Sequence, residues 1–111
     1  MAKNLILTDT VVIANGGTVS TTLTMAGSRI PLAILIPAAM TGTAMTFKTS
    51  NDNVSFYPIY LESTSYSVTI PTAAIRHIAL DRKAMEGVKY FQVVSGTAEG
   101  AARTVGVISG E

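Results

Sequence analysis

The sequence has no cysteine, no tryptophan and a single histidine. The first absence excludes disulfides and thiolate metal sites outright. Charge is also scarce. Asp, Glu, Lys and Arg make up 14% of the 111 residues, against roughly a quarter in an ordinary soluble domain. Eight Lys and Arg stand against seven Asp and Glu, so no strong field of either sign exists. The basic residues Lys3, Arg29, Lys48, Arg76, Arg82, Lys83, Lys89 and Arg103 are scattered, which argues against a nucleic-acid partner. Long hydrophobic runs are missing too. The longest, from Ile30 to Ala39, is broken by Pro31 and Pro37 and falls far short of the ~20 residues of a membrane helix. The opening MAKNLILTD has one lysine and an apolar run that Asp9 stops, too short for a signal sequence. The expectation is a protein made in the cytoplasm, not exported through a cleaved signal, and with no membrane partner.

Helical periodicity is almost absent, whereas β-branched residues and period-two alternation recur between turn signals. Leu5 and Leu7 alternate with Asn4, Ile6 and Thr8, which predicts a short first strand or an extended arm over residues 1–8. Thr10 to Ala14 reads as the next strand and leads into Asn15-Gly16-Gly17, a hairpin signal. Val19, Thr21, Leu23 and Met25 then share one face, with Ser20, Thr22 and Thr24 on the other. Leu32 to Ile36 is apolar on both faces. Such a strand has protein on both sides, or another subunit over its outer face. Met45 and Phe47 alternate with Thr46 and Lys48, and Tyr66, Val68 and Ile70 share a face. Turns recur every ~8–12 residues, the spacing of an antiparallel β-sandwich or barrel in one domain spanning 1–111. About eight to ten short strands are expected.

The densest charge lies between two strands in Ile75–Thr97. Asp81 is placed to cap one helical turn, its side chain accepting from free backbone N–H groups. Met85 points back under the sandwich, and Gly87 takes the left-handed position that releases the chain. Asp-x-x-x-Met-x-Gly is therefore a plugged corner, the single short helical element expected. It is a structural device without reaction chemistry.

Three stretches carry a resemblance: PAAMTGTAMTFKTSND, IALDRKAMEGVKYFQVVSGT and the closing AARTVGVI. Together they resemble the small cement or decoration proteins that coat the heads of tailed bacteriophages, over roughly Ile36 to Ile108. The resemblance implies a jelly-roll-like sandwich. It also implies a non-enzymatic virion protein on the capsid surface, assembled in the bacterial host cytoplasm. Its partners would be the major capsid protein and further copies of itself, as a homodimer or homotrimer. No active-site residue is carried over. Contacts with the capsid or between subunits are assigned to Lys3, Asn4, Leu5, Ile6 and Leu7, and to Leu32, Ile34 and Ile36 of the apolar strand.

Other chemistry finds little footing. His77 sits in an alternating strand with no nominated catalytic partner. Asn51-Asp52-Asn53 offers one acid, few for a calcium ion that takes six to eight oxygens, and turn chemistry explains the same residues. Ser95-Gly96-Thr97 and Asn15-Gly16-Gly17 lack the Walker pattern. Asp81 and Glu86, the nearest carboxylates, make no convincing acid/base pair. No catalytic residue, metal, cofactor or small-molecule substrate is expected. Two alternatives stay open: a carbohydrate-binding sandwich for host attachment, and a tail or neck component. The first needs exposed tyrosines among Tyr57, Tyr60, Tyr66 and Tyr90. In one continuous strand Tyr57 and Tyr60 face opposite sides unless Pro58 introduces a bulge, so one of them is expected in the core.

Overall fold

The structure, a computed structural model, describes residues 6–25, 29–71 and 75–110. Eleven strands and one helical turn follow in order: β1 Leu7–Ile13, β2 Leu23–Thr24, β3 Ile30–Ile36, β4 Ala44–Ser50, β5 Tyr57–Pro58, β6 Tyr60–Leu61, β7 Thr64–Ser65, β8 Ser67–Thr69, β9 Arg76–Ala79, α1 Arg82–Met85, β10 Tyr90–Ser95 and β11 Arg103–Gly110. Sheet A has the order β1-β11-β3-β9. Sheet B has the order β2-β10-β4-β5, with β8 also on β4. Every pairing is antiparallel. Counting β5 to β8 as one irregular strand leaves eight. Later strands return beside earlier ones: β11 between β1 and β3, β10 between β2 and β4. That is an all-β sandwich with jelly-roll connections.

Alternation assigns the faces. In β4, Met45 and Phe47 are fully buried. So are Phe91 and Val93 of β10, while Val11, Ile13, Ile34, Ile36, Val105 and Val107 come from sheet A. Phe47 stacks on Phe91 at 5.6 Å between ring centres and meets Tyr66 at 5.7 Å. These three rings span the middle of the core.

Several elements differ from the sequence reading. Residues 7–13 form one strand running through Asp9, because β11 pairs with it over its whole length. Asn15-Gly16-Gly17 closes a turn from Gly17 N–H to Ala14 O, with Gly16 at φ 80°, but β1 pairs with β11 and not with β2. The next segment shifts register. Ser20 is buried and Val19 exposed, so the expected faces hold only from Leu23 onward. Ser20 N–H donates to Val93 O and Thr21 N–H to Val12 O, lacing β10 to the edge of β1.

The corner after β9 is built locally. Asp81 accepts from Lys83 N–H at 2.8 Å, and its own N–H donates to the Tyr66 hydroxyl at 2.8 Å. Glu86 is extended, and Gly87 at φ 83° completes a type II turn in which Val88 N–H reaches Met85 O. Met85 is wholly buried. Its truncation, Met85→Ala, is expected to cost about 2–5 kcal/mol in denaturant unfolding. Thr49 is the opposite case: its buried Oγ1 has no hydrogen-bond partner. Thr49→Val removes that desolvated hydroxyl, and its unfolding midpoint is expected to rise by about 1 kcal/mol of stability.

Candidate functional site

Strand alternation splits sheet A into a core face and an outer face. Register places Thr8, Ile108, Ala33 and Ala79 in one outward row, and Thr10, Gly106, Leu35 and His77 in the next. The centre of this face is apolar, with Leu35 and Ile108 half-buried, and Val12 and Ile75 stand exposed at its margins. Gly106 makes the dip: a Cβ there would come within 3.0 Å of the Leu35 side chain. A shallow cleft of about 280 Å³ results, lined by Thr8, Thr10, Leu35, Pro37, Ile75 and Thr104. The outer face of sheet B is different. Thr46, Lys48, Gln92 and Thr24 face outward there together with Val94 and Tyr90, and Gln92 is bonded to Thr22.

The residues assigned to contacts from the sequence are therefore divided. Lys3, Asn4 and Leu5 lie outside the described residues. Ile6 is 66% exposed and Leu7 is exposed beside it. Leu32 is half-buried against the core. Ile34 and Ile36 have no exposed surface in this chain, although Ile36 is among the residues bordering the cleft. The correction has a simple cause: they share the inward face of β3, and its outward face carries Ala33 and Leu35.

The tyrosines also depart from expectation. Tyr57 is 63% exposed and Tyr60 56%, so neither is in the core. The chain is two short strands there, with Ile59 turned inward and its N–H bonded to Phe47 O. Tyr66 and Tyr90 are half-buried. A cleft of about 460 Å³ follows the β6–β7 hairpin, lined by Leu61, Glu62, Thr64, Ser65, Tyr66 and Ser67. Glu62 holds φ 60° in its turn, a conformation that favours glycine. Asp52 closes its own turn instead of facing a metal. One of its oxygens accepts from Ser50 Oγ, Val54 N–H and Ser55 N–H, and these bonds lower its pKa. Among the described residues no group of acids and histidine is arranged to hold a metal. His77 is exposed on β9 opposite Leu35.

The most perturbed carboxylate is one that sequence reasoning missed. Glu99 lies in what reads as a Gly- and Ala-rich loop, yet its side chain is fully buried. Oε1 accepts from Thr41 N–H at 2.8 Å and Arg103 Nε–H at 3.0 Å. Oε2 accepts from Gly42 N–H at 3.0 Å and Ser95 Oγ–H at 2.7 Å. Its backbone pairs with Gly16 and Gly17. Burial pushes its pKa up, but the four donors outweigh that and hold it at about 2. With each oxygen taken twice, the carboxylate is a clamp with no capacity left for a substrate. A faint signal existed: an acid four residues before Arg103 in a loop otherwise without charge.

The folded value of about 2 lies below the ordinary 4.5, a difference of about 3 kcal/mol. This stabilisation is fully present above pH 4.5 and is lost as pH falls through about 2. Glu99→Gln turns an amide toward backbone donors and is expected to cost about 3 kcal/mol or more at neutral pH. In acid titrations followed by unfolding, the gap between wild type and variant should narrow as pH approaches 2.

No protein-family model matches this sequence, and no curated protein matches it significantly.

Proposed function

We propose that the protein is a non-enzymatic virion structural protein. It binds the outside of a bacteriophage capsid as a symmetric oligomer and stabilises the shell. The observation that carries this reading is the asymmetry of the sandwich. Sheet A turns the half-buried apolar side chains of Leu35 and Ile108 outward, whereas the outer face of sheet B mixes Lys48, Gln92 and hydroxyls with Val94 and Tyr90. An apolar centre with a polar margin, here Thr8, Thr10 and Thr104, is the pattern of a protein-binding patch. The resemblance of Pro37–Asp52, Ile78–Thr97 and Ala101–Ile108 to phage cement proteins supplies the partner. The mechanism is additive: each copy removes apolar surface from water against the shell, and repetition by symmetry raises the barrier to losing any subunit.

One observation favours a second reading, a glycan-binding module. Tyr60, paired with Ser65 on the β6–β7 hairpin, exposes aromatic surface beside the cleft that Glu62 and the hydroxyls of Thr64, Ser65 and Ser67 line. Stacking rings beside convergent polar groups suit a saccharide.

The test is co-sedimentation with purified heads that lack the protein. Wild type is expected to bind and to raise the temperature at which heads rupture. Leu35→Asp, which places a charge in the apolar centre, is expected to weaken binding at least about tenfold while the chain stays folded. Wild type that leaves heads unbound and equally heat-labile, yet retains a saccharide on a glycan array in a Tyr60-dependent way, would replace the first reading with the second.

A further inference from the structure

Among the described residues, sheet A has an open stretch at each edge. Val12 donates its N–H to Thr21 Oγ1 and accepts from Thr21 N–H, so its backbone groups point away from β11. Backbone direction alternates along a strand, so those of Thr8 and Thr10 point outward as well. The lacing segment covers the edge at Val12, and no described strand lies beside Thr8 or Thr10. At the other edge, Leu80 N–H donates to Leu32 O, so Ile78 and Arg76 face β3 while His77 and Ala79 direct their backbone groups outward. No described strand lies beside these either. Both edges are solvent-exposed: Ile6, Leu7, Thr8, Asp9 and Thr10 on one, and Ile75 (75% exposed), Arg76, His77 and Ala79 on the other.

We propose that these two edges pair with each other between copies, β1 of one against β9 of the next, continuing sheet A through the interface. The occupant is a second copy of this chain, and charge complementarity chooses it. Neighbours in sheet A alternate in direction, and a second copy in the same orientation lays its β1 antiparallel to β9. Outward-pointing backbone groups meet if Thr8 lies opposite His77 of the second copy. That register sets Asp9 directly opposite Arg76 of the second copy, and Leu7 opposite its Ile78. Cross-strand pairs of these two kinds each stabilise a sheet. Sliding by two residues sets Asp9 against Ile78 and Arg76 against Val11. Sliding the other way sets Arg76 against Leu7. Pairing two β1 edges about a two-fold in the equivalent central register brings Asp9 against Asp9, like charges face to face.

Joining unlike edges is a heterologous contact, which closes into a ring when the rotation per copy permits. The apolar outer faces of sheet A are left uncovered, side by side. The inference deepens the oligomer part of the proposed function and rests on that reading for the purpose the ring serves. An exposed strand edge is otherwise a liability for uncontrolled association, and a matched partner edge removes it.

Sedimentation of the free protein, without any shell, tests the pairing. Wild type is expected as a closed assembly several times the 11.6 kDa chain. Asp9→Arg and Arg76→Asp are each expected to weaken assembly at least about tenfold, and the two reversals combined in one chain to restore it. Cooperative unfolding of each variant checks that it is folded. The chain has no cysteine, so Thr8→Cys with His77→Cys reports the register. A hydrogen-bonded cross-strand pair sits about 5.5 Å apart at Cα, within disulfide reach. Oxidation is expected to link neighbouring chains through residues 8 and 77, whereas Thr8→Cys with Ile75→Cys, out of register, links poorly. A monomeric wild type, single reversals that leave the mass unchanged, or efficient linking by Thr8→Cys alone would overturn the proposal. Assembly without shell binding would sink the capsid reading and leave this one standing; shell binding by a monomer would do the reverse.

Discussion

The Glu99 carboxylate is the constraint on which one end of this molecule depends. Three connections meet there: the 14–18 turn, the 37–43 loop and the 95–103 loop. Met40 buries part of the 37–43 loop in the core, but a polar anchor ties the three together. One buried charge does it, by accepting from two backbone N–H groups, a serine hydroxyl and an arginine. A buried charge is costly unless every lone pair is used, and here every one is. The clamp leaves little room for variation. A Cβ on Gly42 would collide with the Ser95 hydroxyl, so the close approach needs glycine.

The far end of β10 is fixed by different means. There Asp81 caps one turn of helix, Met85 fills the space beneath it and Gly87 turns the chain back. Tyr66 ties this corner to the core, with its ring against Phe47 and its hydroxyl on Asp81 N–H. Between the polar clamp and the apolar plug, the stacked rings of Phe47 and Phe91 hold the strands of sheet B. A sandwich pinned at both ends presents its outer faces rigidly.

Local signals were legible and distant ones were not. The alternation of Met45 with Phe47, and of Phe91 with Val93, told the core face of two strands correctly, and the corner could be assembled from three residues. Leu32–Ile36 shows where periodicity fails. In a strand apolar on both faces, nothing in the pattern says that Ile34 and Ile36 turn inward and Leu35 outward. Tyr57 and Tyr60 escape strand alternation because the chain breaks at Ile59 and turns through Glu62, held at φ 60°. Glu99 was barely legible for a physical reason. Its partners Thr41 and Gly42 are 58 and 57 residues away, and only the closed sandwich brings them together.

The most direct test is the position of this chain in an intact phage particle, read from a reconstruction of the whole virion. If the proposed capsid role holds, many copies lie on the outer surface of the head, grouped about its symmetry axes, with Leu35 and Ile108 of sheet A toward the shell. A single ring of copies at the neck or along the tail, or density with sheet A facing solvent, would contradict it.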